Sequence, residues 1–150
     1  MPTVRLAFSP APQYVRTARL VGVAVARRAG VADELLDEVR LAVGEACGRA
    51  VARHRQHGIT DLVRVEMSDD GPYTVRVIDA CGVDAAAGDG SEPGADEAED
   101  TDRMHAALLA ALVGEVAMHR HETGTEVRMV WPVRRRLSGA SYRDRPGAVG

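Results

Sequence analysis

Apolar and polar positions change period along the chain, and the changes mark out its elements. Thr3 to Phe8 sets Val4, Leu6 and Phe8 around Arg5, a short strand pattern, and Ser9-Pro10 then reads as a helix start. In the helix that should follow, Tyr14, Ala18, Val21 and Val25 recur at helical spacing, and Gly30 stands where a C-terminal stop belongs. A second helix is expected from about Ala32 or Asp33. Its first turns carry Asp33, Glu34, Asp37 and Glu38 and its last turns Arg49, Arg53 and Arg55, an order that suits the helix dipole. On this helix Leu35, Val39, Ala42, Val43, Ala46, Cys47 and Ala50 share one face. Glu38, Glu45 and Arg49 line the edge of that face, where side chains look into a cleft beside the core.

Thr60 to Met67 and Tyr73 to Ile78 alternate with the two-residue period of strands, and Asp69-Asp70-Gly71-Pro72 between them is a hairpin signal. From Gly82 to Asp102 the chain is rich in Gly and Ala and carries eight acids without one basic residue, which reads as an acidic loop. Met104 to Val113 reads as a short helix through Leu108, Leu109 and Leu112. Glu115 to Glu122 and Thr125 to Trp131 read as a second hairpin around Thr123-Gly124, with Trp131 in the core. After Pro132, residues 134–150 are expected to be a disordered basic tail. Strand, two helices, two strands, loop, helix and two strands make an α+β chain. The expected architecture is a two-layer α/β sandwich with a mixed, mainly antiparallel sheet and helices on one face.

Length and composition narrow the chemistry. One domain of 150 residues buries a core without disulfides or metals. Aromatics make up 3% against 45% hydrophobic residues, so Val, Leu, Ala and Met must fill that core. No apolar run reaches the roughly 20 residues of a membrane span, no signal-peptide layout is present, and a cytoplasmic location is expected. Cys47 and Cys81 have no metal-ligand spacing and read as packing residues. Every one of the 19 basic residues is Arg, and Asn is absent. Without Lys there is no Walker-type phosphate loop and no lysine base.

The stretch LAVGEACGRAVARH, Leu41 to His54, resembles the N-box helix of the RsbW/SpoIIAB-like anti-sigma factors, serine kinases of the GHKL (HATPase) superfamily, whose form is roughly LAVxEAxxNAVxH. The resemblance runs from about Val4 to Val133 and implies the Bergerat-type sandwich, with the acidic segment 82–102 as the lid. It implies that Glu45 is the catalytic base and that position 49 should be a magnesium-binding Asn; here it is Arg49. In TVRVIDACGV, Asp79 matches the aspartate that accepts from the adenine amino group, but Cys81 and Val83 stand where glycines belong. The glycines of a third motif, which present amides to the phosphates, fall at Arg103 and His105. Gly124-Thr125 before EVRMVW matches the closing strand, whose threonine lies near adenine.

Each residue has a plainer reading. Glu45 has Arg49 at i, i+4, a surface ion pair worth about 0.2 to 0.5 kcal/mol. Asp79 can cap the turn that follows its strand. Arg49 cannot ligate a metal, although it could grip phosphate. His105, His119 and His121 could be imagined as metal ligands, but a solvated strand face suits the last two, and no metal site is expected. The family resemblance implies a sigma factor and a STAS-domain antagonist as partners, and a homodimer. The expected function is an anti-sigma-like regulator acting by protein contact, with no cofactor, no nucleic acid and no membrane. The alternative is an active ATP- and Mg²⁺-dependent serine kinase that phosphorylates the STAS antagonist, with Glu45 as base, Asp79 and Thr125 at adenine, and Arg49 replacing part of the metal's charge.

Overall fold

A computed structural model describes residues 3–82 and 95–134 of the chain. Five strands, β1 (Thr3–Phe8), β2 (Val63–Ser68), β3 (Tyr73–Asp79), β4 (Glu115–Arg120) and β5 (Thr125–Trp131), form one sheet in the order β1-β2-β3-β5-β4. All of its pairings are antiparallel. Helices α1 (Gln13–Ala29), α2 (Leu36–Gln56) and α3 (Ala95–Leu112) complete the chain, with a 3-10 turn at Asp33–Leu35 leading into α2. The result is the expected α+β sandwich, one layer of sheet and one of helices.

The two-residue period of the strands sorts the side chains. Val63, Val65 and Met67 on β2, Tyr73, Val75 and Val77 on β3, and Val127, Met129 and Trp131 on β5 are buried. They meet Val39, Ala42, Val43, Ala46, Cys47 and Ala50 on α2, the face expected from the helical period. With so few rings, one aromatic pair holds much of the core. Tyr73 and Trp131 face each other in the β3–β5 register and stack with centroids 5.8 Å apart, and the Tyr73 hydroxyl donates to the Gly22 carbonyl of α1 at 2.7 Å.

The sequence pattern misplaced α1 by a fraction of a turn. Ala18 and Val25 are buried as expected, but Tyr14 is 41% exposed and Val21 only half-buried. The buried row is Ala18, Gly22 and Ala26, because small residues let α1 close on α2; a Cβ at Gly22 would lie 3.2 Å from a Val43 methyl. The helix also starts at Gln13, three residues past Pro10, after Ser9 and Ala11 close a short turn. Gly30 ends it in the left-handed conformation, φ 99°.

The larger correction concerns the acidic segment. Residues 82–102 read as a loop, yet α3 begins at Ala95, so the last part of that run is helical. Acidic sequence is what a helix N-terminus favours, and alanine is the best helix former, so the composition that mimics a linker also suits a first turn. Within α3, Leu109 is buried and Leu108 is 44% exposed. The rest of the acidic stretch, 83–94, and the expected tail from 135 lie outside the described residues. Arg134 is held against α1, its amide donating to the Gly30 carbonyl at 3.0 Å. No described helix is long and apolar enough to cross a membrane.

The sheet face away from the helices is charged. Arg5, Glu66, Arg76 and Glu126 form a ladder of ion pairs across β1, β2, β3 and β5, with Arg76 to Glu66 at 2.8 Å and Arg76 in close contact with Glu126. The hydrogen bond from Arg76 holds the Glu126 carboxyl below its ordinary 4.5. A depressed carboxyl stabilises the fold above the unfolded value, and that contribution disappears as pH falls through the folded one. Glu126→Gln is therefore expected to lower the urea midpoint at neutral pH and to match the wild type in strong acid. An equal difference at both pH values would show that Glu126 acts through packing rather than charge.

Candidate functional site

The buried alternation of β3 ends on a charge. After Tyr73, Val75 and Val77, the next inward side chain is Asp79, 3% exposed. Opposite it, the last turns of α2 bring Arg49, Arg53 and His54 to the same point, since 49 and 53 are one helical turn apart. Arg49, 2% exposed, donates to Asp79 Oδ2 at 3.3 Å, and Arg53 Nε lies 3.8 Å from the same oxygen. Asp79 Oδ1 accepts from the amides of Cys81 at 2.9 Å and Thr125 at 3.1 Å. The carboxylate thus has protein donors on both oxygens.

Arg49, Asp79 and Thr125 are therefore brought together, while Glu45 is not among them. The ion pair expected between Glu45 and Arg49 is replaced by two others. Arg49 turns inward to Asp79, and Glu45, its side chain 39% exposed, meets His105 Nδ1 of α3 at 3.2 Å. The reason is energetic. A guanidinium and a carboxylate that share a dry site each lose far more by being left alone than an exposed pair gains at the surface. The turn-capping reading of Asp79 is realised in its bond to Cys81 N.

Two close backbone approaches complete the site. A Cβ at Gly82 would lie 1.6 Å from the Glu122 carbonyl oxygen, and one at Gly124 would lie 2.0 Å from that of Asp79, so only glycine fits either place. Thr125 Oγ1 also donates to the Cys81 carbonyl at 3.3 Å. The turn after β3 and the turn before β5 are locked to each other.

Among the described residues, His54, Asp79 and Cys81 place potential metal-ligand atoms within 4.8 Å of one another. Their lone pairs are already engaged. His54 Nε2 accepts the Ala80 amide at 2.9 Å, which puts the ring proton on Nδ1, 3.0 Å from the Asp61 carbonyl. Two guanidiniums beside Asp79 oppose a cation further. Burial raises the Cys81 thiol, with the Asp79 charge adding to it, and pushes Cys47 up to about 12. His119 and His121 are exposed, their rings stacked 6.5 Å apart, and His105 is engaged with Glu45. Arg53 and His54 were not foreseen as site residues. The signal available was the one-turn spacing of Arg53 from Arg49 on a face otherwise apolar.

The profile of the histidine kinase-like ATPase domain matches residues 8–131. The chain belongs to that family. In structure it is similar to the RsbU and RsbW domains of Rv1364c from Mycobacterium tuberculosis, with a TM-score of 0.62 at 17% identity over 88% of this chain. It spans 32% of that chain. No curated protein matches the sequence.

Arg49→Ala is expected to destabilise the fold by about 3 kcal/mol, because it leaves Asp79 buried with one guanidinium fewer. Urea denaturation measures this, and a loss under about 1 kcal/mol would place the pair with exposed ones. Both thiols should also resist a disulfide reagent in the folded protein and react only as it unfolds. Fast labelling of either under native conditions would contradict the burial.

Proposed function

We propose that this chain is an anti-sigma-factor-like regulatory protein that acts by protein–protein contact, with nucleotide binding weak or lost. The buried Arg49–Asp79 pair carries the reading. The family resemblance gives Asp79 the task of accepting the adenine amino group, and here both of its oxygens have internal donors. An incoming adenine would have to displace a buried guanidinium, which has nowhere equally good to go. The resemblance also calls for an Asn on magnesium at position 49, where a guanidinium offers donors only. Cys81, Val83, Arg103 and His105 stand at positions that should be glycine, and His105 reaches the Glu45 carboxylate instead of presenting a bare amide.

The partners are a sigma factor, a STAS-domain antagonist, or both, and the mechanism is sequestration by a homodimer without phosphate transfer. Likeness to the RsbU and RsbW domains of Rv1364c supports this at the level of fold. Glu45 is then a vestigial base, held as an interhelical contact, and Thr125 and Arg49 are structural partners of Asp79.

Isothermal titration with ATP and Mg²⁺ should show no binding heat. Micromolar binding, with phosphate transfer to a STAS-domain protein that disappears in Glu45→Ala, would establish the kinase instead. Arg49→Asn alone should not restore binding, since four glycine positions remain substituted; tight ATP binding by that variant would overturn the account of the motifs. Co-purification from the native host, followed by mass spectrometry, should recover a sigma factor or a STAS-domain protein. Recovery of neither removes the partner assignment.

A further inference from the structure

The sheet face that no helix covers carries a cavity of about 490 Å³, within the range of small-molecule sites. It lies at the end of the sheet where β2, β3 and β5 approach the turn between β4 and β5. Ile78 supplies its apolar floor, and Leu62, 51% exposed, stands beside it. A large aliphatic side chain that exposed, next to a cavity, is a surface that a ligand can cover.

The charges around the cavity divide into two sets, apart from Asp79, whose carboxylate is already held by Arg49. Arg76 and Glu126 neutralise each other within the ladder that also holds Glu66. Asp61 and Arg64 also line the cavity, are both exposed, and among the described residues take part in no ion pair. They are three residues apart, on either side of the start of β2, so one acid and one base line the same cavity as the apolar Ile78 and Leu62.

We infer that this cavity binds a small zwitterion with an apolar side chain, of the free α-amino acid class. The ligand carboxylate meets the Arg64 guanidinium, its ammonium meets Asp61, and its side chain lies over Ile78 and Leu62. Other classes fit less well. A polyanion is opposed by Asp61 and a cation by Arg64. A wholly apolar molecule would strip water from Asp61 and Arg64 without replacing it. His121 and Thr123 on the far wall add hydrogen-bonding groups that fit any of these. The cavity shares Asp79, Gly124 and Thr125 with the candidate site, but its contacts at Asp61, Arg64, Ile78 and Leu62 are tested without nucleotide, so either reading can fail without the other.

The test uses the full chain, titrated by NMR with L-leucine, with N-acetyl-leucine, which lacks the ammonium, and with leucine methyl ester, which lacks the carboxylate. Leucine should bind with a dissociation constant of about 1 mM and shift the Ile78 methyls, and each blocked compound should bind roughly 10-fold more weakly. Arg64→Gln should erase the preference for leucine over its ester while keeping the preference over the N-acetyl form. Asp61→Asn should do the reverse; both positions are exposed, and circular dichroism confirms the fold of each variant. Absence of saturable shifts, equal affinity for the three compounds, or preferences that survive both substitutions would overturn the assignment.

Discussion

A buried charge cannot be left alone, and the arrangement at the end of β3 follows from that constraint. The strand period delivers Asp79 to the interior with the same regularity that delivers Val75 and Val77. Once there, the carboxylate needs donors that water cannot provide. Arg49 of α2, the Cys81 amide and the Thr125 amide supply them, and the Arg53 guanidinium adds its charge at 3.8 Å. Each comes from a different stretch of chain, so one acid fixes the position of α2, of the turn after β3 and of the start of β5. Replacing a buried pair by apolar residues of the same volume is often neutral for stability. What the pair secures is the mutual placement of α2 and the end of β3.

Much of the fold was legible because hydrophobic period is a local property. The alternation of β2, β3 and β5, the apolar face of α2 and the stop at Gly30 could each be read from a window of a few residues, and each is found in the structure. Failures occurred where two local rules compete. At Ala95 to Asp102 the composition satisfies both a solvated linker and a helix N-terminus, and proximity to the following apolar stripe decided for the helix. In α1 the largest apolar side chains suggested one stripe, but close approach to α2 rewarded the smallest ones.

The candidate site was legible in part of its membership, with Arg53 and His54 missed, and illegible in pairing. Arg49, Asp79 and Thr125 could all be named from the family motifs. Their mutual contact could not, because Arg49 and Asp79 are thirty residues apart and the only partner that sequence offers an arginine in a helix is the acid one turn away. That local partner, Glu45, is taken by His105, sixty residues on. Pairing of charges is a tertiary property, decided by which groups share a dry volume, and it corrects the local rule wherever one of the charges is buried.

The glycines at 82 and 124 have a consequence of a different kind. Each brings a main chain against a carbonyl of the opposite turn with no side chain between them, Gly82 on Glu122 and Gly124 on Asp79. Side chains are the compliant part of a protein, able to change rotamer and absorb a push; bare backbone is not. The two turns are therefore meshed like gear teeth, and a displacement of the hairpin tip at Thr123 has no slack to consume before it reaches the carboxylate. This corner of the domain is stiff, and a stiff corner transmits motion.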